Sequence, residues 1–175
     1  MIKGKHIYLR ALELEDIDWL YDLENNPENW AVSNTLAPFS RHTLEQYILS
    51  CGSQDIFTLK QIRLVIVETT SGKAIGCVDL YDFEPNHLRA GVGIMLLSDY
   101  RGKGHASECL ELLKQYAFQT LKLKQLHCSI APSNEASLRL FTQAGFIQCG
   151  HFKAWRQTNR NQWEDELFFQ YIVEN

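Results

Sequence analysis

The stretch from Asp99 to Phe118, DYRGKGHASECLELLKQYAF, places two glycines and a lysine directly before a run with helical apolar spacing. Apolar residues then recur at the three-and-four spacing of a helix, namely Ala106, Cys109, Leu110, Leu113, Tyr116 or Ala117, and Leu121. This period predicts a helix that packs one face against a sheet. The first amides of a helix have no partner within it, and glycines let an anion approach them closely. We therefore predict an anion site at the amides of residues 102 to 106, with a flexible surface turn as the alternative.

The run before this loop, RAGVGIMLL (residues 89–97), resembles a strand but has two glycines in its interior. Interior glycines mark a bulge or a close approach to the backbone. A bulge at Gly91 or Gly93 would splay this strand from the next one, LKQLHCSIA (residues 123–131). Backbone groups of the residues that follow would then be free for a ligand: Ile94, Met95 and Leu96. The alternative is that the glycines pack against an aromatic ring.

The remaining patterns predict an α+β fold in one domain, residues 1–175. A strand and two helices come first, and a loop with Trp30 joins the helices. Three strands then form an antiparallel meander, beginning with FTLKQIRLVIVE (residues 57–68). The quoted helix, a strand, a short helix capped by Asn134 and a closing hairpin follow. We expect a central mixed, mostly antiparallel sheet of about seven strands flanked by about four helices, with a splay between the fourth and fifth strands.

Bulk composition argues against several classes of protein. The 175 residues carry a net charge of -4 with a pI near 5.9, which gives no reason to expect nucleic acid or an anionic membrane as partner. No basic segment followed by an apolar run opens the chain, so we expect neither a signal peptide nor an anchor, and a cytoplasmic location. The five cysteines are scattered without a C-x-x-C pair, which favours reduced thiols and no metal site.

Two blocks of this sequence resemble the GNAT superfamily of acyl-CoA N-acyltransferases, and in particular its spermidine and ribosomal-protein N-terminal acetyltransferase branch. Arg101-Gly102-Lys103-Gly104-His105-Ala106 is similar to the pyrophosphate signature Gln/Arg-x-x-Gly-x-Gly/Ala. The segment NEASLRLF (residues 134–141), followed by Ala144-Gly145-Phe146, resembles Asn-x-x-Ser-x-x-Leu-Tyr … Gly-Phe. The resemblance covers nearly the whole chain.

The resemblance implies that acetyl-CoA is the acyl donor. Its pyrophosphate would lie on the loop amides, its pantetheine would extend along the glycine-containing strand, and Asn134 would donate a side-chain hydrogen bond. The residues implied in donor binding are Ile94, Met95, Leu96, Arg101, Gly102, Lys103, Gly104, His105, Ala106, Ser107, Asn134 and Phe141. The Leu96 amide would also act as a catalytic donor to the thioester carbonyl.

This chain departs from the family pattern at both proton-transfer positions. Phe141 replaces the tyrosine that usually serves as general acid, and its ring can only pack on the pantetheine. Water, Ser129, Ser137 or Tyr81 are the alternatives for an acid. Gly91 replaces the glutamate of some relatives, which leaves Asp79 as the expected base, with Asp82 and Glu84 as alternatives.

The expected reaction is acetyl transfer to a primary amine, either a small molecule or a peptide N-terminus. Trp30, Trp155 and Trp163 are candidates for the wall of the acceptor pocket, although large aromatics more often lie in a core or interface. Residues 33–38 lack the carboxylates that spermidine acetyltransferases carry there, which argues against a polyamine. Exposed aromatics on the last hairpin would suit a homodimer. A CoA-binding sensor without turnover and a general nucleotide binder are the rival hypotheses.

Overall fold

The computed structural model describes residues 1–33, 35–159 and 161–173. These residues form eight strands: β1 (Ile2–Lys3), β2 (Ile7–Ala11), β3 (Ile62–Glu68), β4 (Ala74–Glu84), β5 (Arg89–Leu96), β6 (Gln125–Ile130), β7 (Ile147–Asn159) and β8 (Gln162–Ile172). They also form six α-helices: α1 (Ile17–Glu24), α2 (Pro27–Ser33), α3 (Arg41–Ser53), α4 (Ile56–Leu59), α5 (His105–Gln115) and α6 (Glu135–Gln143). A turn of π-helix, Tyr116–Thr120, extends α5.

The strands build one sheet in the order β1-β2-β3-β4-β5-β6-β8-β7. Neighbouring strands are antiparallel at every position except β5 and β6, which are parallel. The predicted mixed, mostly antiparallel sheet is therefore confirmed. The short strand β1 and the helices α2 and α4 are additional to the predicted elements.

Helices cover both faces of the sheet. On one face, α5 buries Cys109, Leu110 and Leu113 in a core that includes Ile66 of β3. On the other face, α1 and α3 pack over the neighbouring residue Val65. Adjacent strand residues point to opposite faces, which is why Val65 and Ile66 belong to different cores. The apolar stripe read from the sequence of α5 is confirmed as the buried face of that helix.

Side-chain caps explain several helix boundaries. The Ser40 hydroxyl accepts a hydrogen bond from the Thr43 amide at 3.1 Å and caps α3. Asn134 Oδ1 accepts from the Ser137 amide at 3.1 Å and caps α6. Capping by Asn134, which we expected, is therefore confirmed.

Two segments differ from the sequence prediction because of local caps. The predicted first strand of the meander begins only at Ile62, since Asp55 Oδ1 accepts from the Thr58 amide at 2.9 Å and caps α4. The predicted loop around Trp30 contains α2 instead. Proline suits the first position of a helix, and Pro27 occupies it here. Asn34, which follows α2, lies outside the described residues.

Among the described residues, no helix has the length and apolar character needed to cross a membrane. In the same ranges, no group of three or more His, Cys, Asp or Glu side chains is arranged to hold a metal ion. All five cysteines are free thiols, and Cys149 is the exposed one.

Candidate active site

Strands β5 and β6 are paired only at their beginning. The paired residues are Arg89 with Gln125, Ala90 with Leu126 and Gly91 with His127. Beyond Gly91, β5 continues to Leu96 with β4 as its partner. A gap therefore opens between β5 and β6. These are the fourth and fifth predicted strands, so the predicted splay is confirmed.

The bulge that we predicted on β5 lies on its neighbour β4 instead. The pairing shifts between Tyr81 and Glu84, where β4 carries one more residue than β5. Asp82, inside this shift, has a φ of 48°. Gly91 is needed for another reason: a Cβ there would lie 2.5 Å from Cζ of Tyr81. Packing against an aromatic ring, the alternative reading of this glycine, is therefore correct.

The backbone of β5 presents alternate residues to the gap. The Leu97 amide donates to the Ile75 carbonyl of the β4 side at 2.9 Å. Because backbone groups alternate along a strand, the Met95 amide also faces β4, and the Ile94 and Leu96 amides face the gap. The expectation for Ile94 and Leu96 agrees with this geometry. The expectation for the Met95 backbone does not, although Met95 is among the residues that line the cleft described below.

The glycine loop turns β5 into α5 through two left-handed residues. Gly102 has a φ of 73° and Gly104, the N-cap of α5, a φ of 85°. Arg101 Nε donates to the Leu96 carbonyl at 2.9 Å and fixes the loop to the strand end. Within the described chain, the amides of residues 102 to 107 donate no main-chain hydrogen bond. The loop thus presents several amides at the positive end of a helix.

A cleft of about 1180 Å³ joins the gap to the glycine loop. Nine of the twelve expected donor-binding residues line it: Ile94, Met95, Leu96, Arg101, Gly102, Gly104, Ala106, Ser107 and Asn134. Two residues from distant parts of the sequence also border the cleft, Trp30 of α2 and Trp155 of β7. Trp163, the third expected wall residue, is absent from this lining.

The other three expected donor-binding residues do not line the cleft. Phe141 is 3% exposed, and its ring packs edge-on against Phe146 at a centroid distance of 5.0 Å. His105 is buried, and its Nδ1 atom has no hydrogen-bond partner. Lys103 lies outside, with Nζ 5.3 Å from the centroid of the Tyr100 ring. Phe141 is therefore a core residue, and the expectation that it borders the donor site is corrected.

Asp79, the expected base, is held in an ion pair. Arg63 Nε donates to Asp79 Oδ1 at 2.7 Å, and Arg63 Nη2 donates to Oδ2 at 2.9 Å. A second carboxylate, Glu24 of α1, pairs with Arg63 Nη1. Burial opposes charging of Arg63, but Asp79 beside it holds the pKa of the guanidinium well above its ordinary value. Asp79 does not line the cleft, so its expected role as a base has no support in this geometry.

Three carboxylates that we did not expect border the cleft instead: Glu28 of α2, and Glu164 and Glu166 of β8. The segment WEDELFF alternates, which puts Glu164 and Glu166 on one face of the strand. The sequence alone therefore predicts that these two glutamates share a face. It does not predict the strand register that brings this face of β8 beside the gap.

Two titratable side chains meet where β5 and β6 part. The rings of Tyr81 and His127 contact edge-on at a centroid distance of 6.1 Å. Burial, assisted by nearby negative charge, raises the pKa of Tyr81 to about 12. Burial lowers the pKa of His127. A protonated phenol therefore lies beside an imidazole that resists charging.

Most of the chain matches known acetyltransferases. Residues 6–147 match the Acetyltransferase (GNAT) domain family. Probable N-acetyltransferase YjcK of Bacillus subtilis (strain 168) is 29% identical over 174 residues, 94% of this chain and 93% of the relative. Spermidine N(1)-acetyltransferase of Escherichia coli (strain K12) is 26% identical over 146 residues, 83% of this chain and 75% of the relative. The chain belongs to the GNAT family, and it is an N-acetyltransferase.

Solved structures agree on the fold. The spermidine N-acetyltransferase from Vibrio cholerae, in complex with CoA and spermine, superposes with a TM-score of 0.86 at 23% identity. The match covers 97% of this chain and 96% of that one. The α+β fold inferred from the sequence is therefore the GNAT fold.

Proposed function

We propose that this protein transfers the acetyl group of acetyl-CoA to a primary amine, by direct attack while both substrates are bound. The observation that carries the proposal is the cleft itself. It connects unpaired amides at the start of α5 with a gap beside β5, where the Ile94 and Leu96 amides point. An anionic group and an extended thioester arm fit these two features together.

The donor would bind along this cleft. Its pyrophosphate would accept hydrogen bonds from the loop amides after Arg101, and its pantetheine would pair with the backbone of Ile94 and Leu96. Asn134 lines the cleft while its Oδ1 caps α6. Its side-chain amide nitrogen therefore remains available to donate a hydrogen bond to acetyl-CoA. The Leu96 amide would donate a hydrogen bond to the thioester carbonyl and so polarise it. The solved relative with CoA bound supports this choice of donor.

The acceptor would enter from the other part of the cleft. Glu28 and Glu166 border it, and Trp30 and Trp155 contribute aromatic surface. Carboxylates and aromatic faces both attract a cationic amine. Relatives named spermidine N(1)-acetyltransferase support a small-molecule amine, including a polyamine. A peptide N-terminus stays open as an acceptor, and a homodimer through the exposed hairpin aromatics stays a prediction.

A thiol-release assay against an amine panel tests the proposal. The panel contains spermidine, simple diamines, monoamines and peptides with a free N-terminus. We expect saturable release of CoA thiol that requires both acetyl-CoA and one of the amines, with the N-acetylated product identified by mass. Saturable binding of acetyl-CoA without thiol release from any amine would favour the rival sensor, which the buried, hydroxyl-free Phe141 motivates.

A further inference from the structure

We propose that Glu166 is the general base that removes the proton from the acceptor amine, an inference that rests on the proposed function. An alkyl ammonium has a pKa near 10, so at neutral pH its nitrogen has no free electron pair. Neither Asp79, the expected base, nor position 91, where Gly91 replaces the glutamate of some relatives, supplies a base. Asp79 is paired with Arg63 away from the cleft, and Gly91 has the Tyr81 ring over it.

The register of the sheet puts Glu166 beside the open gap. Strand β6 pairs with β8 up to Ile130 opposite Leu167. Glu166 is the next residue of β8, so it lies just beyond the last pair of β6, where the space next to β5 is open. It faces the same side of the sheet as Phe168, about 7 Å along the strand.

That side of the sheet is continuous with the point where the strands part. The Phe168 ring stacks on His127 at a centroid distance of 5.3 Å, and His127 is paired with Gly91. His127 in turn contacts Tyr81. The negative charge of Glu166 is one of the charges that, after burial, raise the pKa of Tyr81. Tyr81, His127 and Phe168 therefore form a row of contacting rings on the side of the sheet that Glu166 shares.

Of the three carboxylates that border the cleft in the described residues, Glu166 is the one that is both half-buried and unpaired. Within the described ranges its side chain makes no hydrogen bond or ion pair. Glu164, by contrast, accepts from the Ser133 amide at 3.0 Å. Glu28 is exposed on α2, on another wall of the cleft. A free, half-buried carboxylate keeps its acceptor capacity for an incoming N–H group.

The proton and electron transfers balance without a further reactant. An N–H bond of the ammonium breaks, and its proton goes to Glu166 while the electron pair stays on nitrogen. That pair forms the C–N bond to the acetyl carbonyl carbon, and the C–S bond breaks with its electrons on sulfur. A second proton from nitrogen goes to the thiolate, and Glu166 later returns its proton to solvent.

The test compares Glu166→Gln with Asp165→Asn on the best amine of the panel. Both variants remove one carboxylate from β8, but Asp165 points to the opposite face of the strand and does not line the cleft. We expect Glu166→Gln to lower kcat by about 10² to 10⁴ at pH 7, the usual effect of losing a positioned base. The acetyl-CoA dissociation constant, measured by calorimetry, should stay within twofold. Asp165→Asn should keep kcat within about threefold of the unmodified enzyme, because Asp165 pairs with His151 and the Ala154 amide outside the cleft lining.

The pH profile separates a base from a merely structural residue. Without a base, attack depends on amine that is already neutral in solution, so kcat/KM of Glu166→Gln should rise about tenfold per pH unit between pH 7 and 9. The unmodified enzyme should rise much less. Equal kcat values in Glu166→Gln and the unmodified enzyme, or a deficit of the same size at every pH, would overturn the assignment. An unmodified enzyme inert toward every amine would overturn the proposed function itself.

Discussion

The phenol ring of Tyr81 fills the space into which a side chain on Gly91 would project, with Cζ 2.5 Å from the position of a Cβ. This contact lies at the last residue pair before β5 and β6 separate. The position at which some relatives carry a glutamate is thus committed here to packing.

Gly91→Ala should therefore overpack this site. The ring of Tyr81 is held by His127 and cannot move without disturbing it, so we expect the free energy of unfolding to fall by about 1 to 3 kcal/mol in urea denaturation. Gly93→Ala is the matched control, because its Cβ would be 3.8 Å from the nearest Tyr81 atom. Equal stabilities of the two variants would contradict the contact.

Gly104→Glu should abolish binding of acetyl-CoA while the domain stays folded. A carboxylate there would repel the pyrophosphate at the start of α5. Gly104→Ala is the control, since it carries the same strain at a φ of 85° without the charge. A Cβ at this position meets no atom within 4 Å, so neither variant should clash. We expect a modest loss of affinity in Gly104→Ala by calorimetry. Unchanged affinity in Gly104→Glu would refute the assignment of the loop.

Asp79→Asn should affect stability and spare the chemistry. The side chains of Arg63 and Asp79 are 19% and 23% exposed. The substitution removes one of the two carboxylates that pair with this largely buried guanidinium. We expect the free energy of unfolding to fall by about 3 kcal/mol. At a temperature where the variant is folded, kcat should stay within a few-fold. A drop in kcat of a hundredfold or more in folded Asp79→Asn would restore Asp79 as the base.

The loop and the helix after it were predictable because their signals are local. Gly102, Gly104 and the apolar stripe of α5 lie within one stretch of sequence, and capping by Asn134 depends on the next three residues. The role of Asp79 was not predictable in this way. Arg63 lies directly opposite Asp79 in the pairing of β3 with β4, and that register is a property of the assembled sheet.

The same reason explains the other differences. The bulge was assigned to β5 because its glycines suggest one, but the extra residue belongs to β4, where no glycine marks it. The position of Glu166 beside the gap was not predictable from the sequence, because it depends on where β6 ends relative to β8. Sequence alternation indicates which residues share a face, while only the pairing of distant strands tells which face borders the cleft.

Asp16 should contribute to the free energy of unfolding at neutral pH, and this contribution should be lost at acid pH. Burial favours its neutral form, but Arg10, which donates at 2.6 and 2.7 Å, and the Glu13 amide lower the pKa of the carboxyl below its ordinary value of 3.8. Because the pKa of Asp16 is lower in the folded state, its ionised carboxylate stabilises the fold above about pH 4. This stabilisation is lost as the pH falls through the pKa of the folded state. Asp16→Asn should cost about 1 to 3 kcal/mol at pH 7.

The difference in unfolding free energy between the unmodified protein and Asp16→Asn should therefore shrink as the pH falls from 4 to 2. Asp18→Asn is the matched control, because Asp18 pairs with Arg41 on the surface, where an ion pair contributes little. Its effect should be small and should change little with pH. A difference for Asp16→Asn that is independent of pH would contradict the linkage.

Trp155 should contribute to acceptor binding but not to catalysis. A shift in the pairing of β7 with β8 carries it to the cleft, where it is 60% exposed beside Phe152. An aromatic face at an exposed site attracts a cation by about 0.5 to 1 kcal/mol, so Trp155→Ala should raise KM for the amine about two- to fivefold at unchanged kcat. Trp163→Ala is matched in exposure, at 59%, and lies off the cleft lining, so steady-state kinetics should leave its KM unchanged. Equal KM values in the two variants would remove Trp155 from the acceptor site.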